Sequence, residues 1–83
     1  MVTGVQFRGT LSPNQTQKWY TFNWPANGFV LWEVVPNTTS TAPEVDWNLA
    51  IERADASHVT YWLTITNLTS VSVQFEARYA IVA

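Results

Sequence analysis

The chain has 83 residues, a formal charge of −2, one histidine and no cysteine, and 47 % of it is apolar. That length makes one domain, residues 1–83. The missing cysteines exclude disulfides and cysteine-based zinc sites, and the lone His58 excludes a histidine cluster. Four basic residues with no run of like charge exclude the basic patch that a nucleic-acid backbone or an anionic membrane surface requires.

Strand signals dominate, separated by turn chemistry. Residues 2–10 read as a first strand, with Val5, Phe7 and Gly9 on one face, and Ser12-Pro13-Asn14-Gln15 as a turn. Residues 17–23 alternate, setting Tyr20 and Phe22, then Trp24, against Trp19 and Thr21. Trp24-Pro25-Ala26-Asn27-Gly28 reads as a turn whose Asn-Gly pair suits a hairpin with positive φ. Residues 29–35 form the third strand, and residues 36–44 a polar loop.

Residues 45–53 alternate cleanly, with Val45, Trp47, Leu49 and Ile51 sharing one face. Ala54-Asp55-Ala56-Ser57 turns the chain. Val59, Tyr61, Leu63 and Ile65 then oppose Thr60, Trp62, Thr64 and Thr66, and Asn67-Leu68-Thr69-Ser70 is a further turn. In the last strand, residues 71–82, Val71, Val73, Phe75, Ala77, Tyr79 and Ile81 oppose Ser72, Gln74, Glu76 and Arg78. Six short strands with regular turns make an all-β fold, a small antiparallel sandwich or barrel.

The third strand breaks the alternation. Phe29-Val30-Leu31-Trp32-Glu33-Val34-Val35 is apolar on both faces except at Glu33, whereas a strand with one wet face alternates. Either a loop covers its second face or another subunit does. Trp19 and Trp62 also sit on faces that otherwise look polar, and contiguous exposed apolar surface marks an interaction site. The expected function is therefore a non-catalytic binding or scaffolding module. It self-associates through aromatic and aliphatic strand faces that include Trp19, Val30, Trp32, Val34 and Trp62. A Glu33 buried in such an interface needs an arginine, and Arg78 is the expected partner on strand-face grounds. Arg8, Arg53 and Arg78 are also placed to pair across strands with Glu33, Glu52 or Glu76. Trp62 among threonines 60, 64 and 66 admits another reading, a lectin-like site in which an indole stacks on a sugar ring beside hydroxyl partners.

From Gly9 on, the chain resembles the bacterial pre-peptidase C-terminal domain, a small β-sandwich at the ends of secreted proteases and related enzymes. The stretches that carry the resemblance are Gly9-Thr10-Leu11, Gln15, Trp19-Tyr20-Thr21-Phe22, Trp24-Pro25-Ala26-Asn27-Gly28, Asp46-Trp47-Asn48-Leu49 and Tyr61-Trp62-Leu63-Thr64-Ile65-Thr66-Asn67. The resemblance implies a non-catalytic accessory module for targeting, secretion or attachment. Some related domains bind calcium through acidic residues. Here Glu44, Asp46 and Asn48 offer oxygens, with Asn48 in place of the motif's second acid, which lowers the charge on a hard-cation site. The plainer reading makes Asp46 and Asn48 the outward residues of an alternating strand.

No other constellation names a reaction. Asp55, Ser57 and His58 contain the residue types of a hydrolase triad, but adjacent residues on a turn rarely converge on one substrate atom. The three glycines Gly4, Gly9 and Gly28 form no phosphate-binding loop. An enzyme is not expected. Asn14, Asn37 and Asn67 each open a glycosylation sequon. The longest apolar runs are too short to span a bilayer. The first residues show no basic region followed by an apolar stretch, so a cytoplasmic protein or an excised extracellular domain is expected.

Overall fold

The computed structural model describes residues 1–82. Its strands are β1 (Val2–Leu11), β2 (Thr16–Pro25), β3 (Phe29–Pro36), β4 (Val45–Arg53), β5 (His58–Asn67) and β6 (Val73–Val82). They form two three-stranded antiparallel sheets, β1-β6-β3 and β2-β5-β4, which pack as a small sandwich around one core. The fold class read from the strand pattern is the one observed.

Only β4 and β5 are consecutive strands of the same sheet. Asp55 closes their turn, its Oδ1 accepting the N–H groups of Ser57 and His58 at 2.7 and 2.9 Å, with His58 Nδ1 at 3.1 Å. The Ser57 N–H first, and the His58 side chain next, hold the Asp55 carboxyl below the usual aspartate range. A lowered folded-state pKa contributes stability above the unfolded pKa, and that contribution is lost as pH falls through the folded value. Asp55→Ala is therefore expected to destabilise the domain at pH 7 and to lose that difference progressively at a second, acidic pH, as the Asp55 carboxyl takes up its proton. Urea titrations at the two pH values check this, and an equal loss at both contradicts it. This hydrogen bonding also gives the Asp55-Ser57-His58 group its role, a turn closure.

Every other connection crosses between the sheets. The segment 24–28 is one of these crossings, not a hairpin. Neither Asn27 nor Gly28 takes a positive φ. The Gly28 N–H closes a tight turn on the Pro25 carbonyl at 3.2 Å, while the Ala26 N–H donates to the Ser57 carbonyl at 2.8 Å. The neighbouring β4–β5 turn thus steers the chain out of one sheet and into the other.

Two bulges reassign side chains. In β1 the register against β6 slips between Val5 and Phe7. Val5, opposite Arg78, turns outward while Phe7, opposite Ala77, packs on the core. In β2 the register against β5 slips between Thr21 and Trp24, where Asn23 has φ 67°. An extra residue reverses the parity of a strand. Trp24 therefore joins Trp19 and Thr21 on the inner side, and Tyr20 and Phe22 stay exposed. The expectation that Trp19 lies on a polar outer face is corrected. Register pairs it with Leu63, which is fully buried.

Two ring clusters furnish much of the core. Phe7 and Trp19 meet Phe75 at centroid distances of 6.2 and 5.1 Å. Trp24 packs edge-on against Trp32, Tyr61 and Tyr79 at 5.5, 5.9 and 5.4 Å. Aromatic pairs prefer such edge-to-face geometry to a flat sandwich. Gly9 makes room for one of these rings, since a Cβ there would stand 2.7 Å from Phe75 Cζ. Leu11, Leu63, Ile65 and Val73 are fully buried beside the rings. A core this rich in indole and phenyl groups does in a small domain what disulfides do elsewhere.

One buried polar residue ties the strand ends together. Asn67 is fully buried, and its Nδ2 donates to the carbonyls of Leu11, Ser12 and Val71 at 3.3, 3.1 and 2.7 Å. Its Oδ1 accepts from the Thr69 N–H and hydroxyl at 2.9 and 2.6 Å. The Asn67-Leu68-Thr69 sequon is therefore shut, because a glycan on that nitrogen would have to displace the core.

Candidate functional site on the outer sheet faces

The residues expected to form an exposed face divide between core and surface. Trp32 and Val34 are buried, and Val30 and Trp19 are partly buried against the same core cluster. The apolar inner half of β3 is thus spent within the monomer. Its outer half is what stays open: Phe29, Leu31 and Glu33 are exposed. Glu33 sits opposite Arg78 in the register, but Arg78 donates its Nε–H to Glu76 at 2.7 Å. Arg8 approaches the same carboxylate at 3.3 Å, across the β1–β6 pair. These contacts, the Arg78 hydrogen bond foremost, hold the Glu76 carboxyl below its ordinary range. Within one chain, then, Arg78 pairs with Glu76, a residue on its own strand.

The outer face of the second sheet carries the most developed arrangement. Trp62 lies on the central strand, opposite Tyr20 on β2 and Ala50 on β4. The Tyr20 ring is 5.1 Å from Trp62 and 6.1 Å from Phe22, tilted by 33° and 31°. Tyr20 and Phe22 are 59 % and 60 % exposed, far beyond what two rings in a core strand would show. Trp62 is fixed at its edge, its Nε1–H donating to Glu52 Oε1 at 2.8 Å, and Lys18 Nζ stands 5.0 Å over the ring. A cation over an indole face is attracted by the ring quadrupole.

Further along the same face the chemistry turns polar. Thr64 and Thr66 on β5 stand opposite Asn48 and Asp46 on β4, and a shallow depression runs between these four. Thr16 and Thr66 share a hydroxyl–hydroxyl hydrogen bond of 2.8 Å on the β2 side. Successive outward residues of a strand are roughly 7 Å apart, so Thr64 lies one sugar's breadth from Trp62, and Thr66 and Asp46, roughly 14 Å away, lie within reach of a short oligosaccharide.

Asp46 and Asn48 are exposed along β4, and Glu44 precedes that strand, its backbone carbonyl accepting the Leu68 N–H. Among the described residues no three histidine, aspartate or glutamate side chains converge on a point that would hold a metal ion.

Tyr20, Phe22, Phe29 and Leu31 lie outside the site residues that the sequence points to. For Phe29 and Leu31 the signal is that the opposite face of β3, Val30, Trp32 and Val34, already supplies its core side chains. For Tyr20 and Phe22 the signal was masked by Trp24, which shares their parity in sequence but not in space. No family model, no curated protein and no solved structure matches the chain.

Proposed function

We propose that the chain is a non-catalytic binding module that holds carbohydrate on the outer face of its second sheet. The observation that carries this reading is the exposed Tyr20–Phe22 pair, with Tyr20 in register with an indole that a hydrogen bond to Glu52 holds in place. The C–H face of a pyranose is apolar and stacks on such rings, while its rim of hydroxyls needs donors and acceptors. Asp46, Asn48, Thr64 and Thr66 supply those within the same face. Flat rings with a few convergent polar groups are the general make-up of a small-molecule site. Two acidic residues on this face, Asp46 and Glu52, disfavour a polyanion and so argue against stacked nucleic-acid bases. The attachment role implied by the resemblance to pre-peptidase C-terminal domains is compatible with a sugar-holding surface.

The test is a titration of tryptophan fluorescence with a panel of gluco-, galacto-, manno- and amino-sugar oligosaccharides. A saturable change is expected for at least one of them. Tyr20→Ala is expected to weaken that binding by about tenfold or more, the usual cost of truncating a central aromatic anchor. Tyr20 is exposed, so the variant keeps the parent's melting temperature to within a few degrees. A flat response across the panel removes this reading.

A further inference from the structure

We infer that two copies of the chain form a two-fold dimer through the outer face of the first sheet, β1-β6-β3. This face is opposite the sugar surface, and the inference stands whether or not that reading holds. The register of β3 on β6 places three outward pairs side by side: Phe29 with Val82, Leu31 with Ala80, and Glu33 with Arg78. Phe29 and Leu31 are 73 % and 62 % exposed. Beside them is a groove of about 560 Å³ whose lining includes Thr3, Val5, Leu31, Glu33, Arg78 and Ala80.

An isologous contact brings each residue i onto a partner residue j, and j onto i. A two-fold axis running along the strands, between β3 and β6, exchanges those two strands between protomers. It therefore lays Phe29 on the partner's Val82, Leu31 on the partner's Ala80, and Glu33 on the partner's Arg78. Rings and aliphatics meet each other, the bulky Leu31 enters the hollow left by a small alanine, and opposite charges meet. Arg78 is bound to Glu76 through Nε alone, so its terminal nitrogens have no other partner among the described residues. Glu33 has no salt bridge among them either. An axis running along β6 itself sets Arg78 against Arg78 and Glu33 against Val5.

The molecule measures 43 × 23 Å across its two longer axes. The matched rows take three outward residues on each of two strands, roughly 14 Å by 10 Å of sheet on each protomer, an interface of the small, transient class. The match ends at the next row, where Val35 would meet the Glu76 carboxylate, so the dimer is a concentration-dependent one.

Light scattering and sedimentation over a series of protein concentrations test the inference. The parent chain is expected to double in mass with rising concentration. Leu31→Asp is expected to weaken dimerisation at least tenfold while leaving the far-ultraviolet circular dichroism unchanged, because Leu31 is exposed in the monomer. The decisive variants are Glu33→Arg and Arg78→Glu. Each alone sets like charges across the axis and is expected to be monomeric. An equimolar mixture places two arginines of one protomer on two glutamates of the other and is expected to restore the dimer. A parent that stays monomeric throughout overturns the inference, as does a dimer that survives Leu31→Asp, or a mixture that fails to associate while both variants are folded.

Discussion

Phe75→Ala is expected to cost about 3–5 kcal/mol, the range for removing a buried phenyl ring from a packed core. Phe75 is fully buried on the central strand of its sheet. It makes ring contacts with both Phe7 and Trp19. Gly9 is shaped around it. Those neighbours come from β1 and β2, one in each sheet, so deletion of the ring loosens the sandwich at its seam. A domain of this length has roughly 4–12 kcal/mol of stability in all, so the variant loses about a quarter or more of it. The expected fall in melting temperature is about 15–30 °C. Phe75→Leu, which keeps most of the volume, is expected to cost less than half as much. Thermal melts of the two variants check the ordering, and a loss below about 1 kcal/mol for the alanine would show that the Phe7–Trp19 cluster does not depend on this ring.

Asn67→Leu is expected to cost about 3 kcal/mol or more despite its similar volume, because an unsatisfied buried polar group costs about 1–3 kcal/mol. Three carbonyls lose their donor and Thr69 loses the acceptor for both its N–H and its hydroxyl. Leucine answers none of these groups, and the side chain has no route to solvent. Asn67→Asp restores the acceptor for Thr69 but turns three donor contacts into oxygen-on-oxygen repulsions, so it is expected to be no better. Urea unfolding measures the loss. Hydrogen exchange at the Thr69 amide separates the cause: it is expected to speed up in Asn67→Leu far more than in a core variant of equal stability. Equal exchange in the two would show that the asparagine acts only by filling space.

The strands were legible where a clean alternation runs unbroken. In β5 the sequence face Val59, Tyr61, Leu63, Ile65 is the buried one, and in β6 the face Val73, Phe75, Ala77 is buried likewise. The two first strands were legible as strands but not as faces. One inserted residue reverses which side chains point inward, and an insertion leaves no mark in a list of apolar residues. Asn23 tolerates the left-handed conformation its bulge needs, but asparagine is equally at home in a loop. The arrangement of the sheets was hidden for a different reason. An Asn-Gly pair reports a local bend, whereas the partner of β2 is β5, fixed by contacts some forty residues along the chain. Of the candidate surfaces, Trp62 was visible because its neighbours in alternation are threonines. Tyr20 and Phe22 needed the bulge to be known first, and Phe29 and Leu31 needed the other half of β3 to be seen buried.

The crossing connections bear on how the protein is made. β6 is the middle strand of the first sheet and the last of the six to leave the ribosome. Until it emerges, β1 and β3 have nothing between them to pair with, and both strands wait with bare edges and uncovered rings. The first sheet therefore cannot form before β6 is in place, whereas the second, β2-β5-β4, has all its strands by then. During that interval its greasiest segments are open to neighbouring nascent chains, which makes crowded polysomes, rather than the finished molecule, the stage at which aggregation is most to be expected.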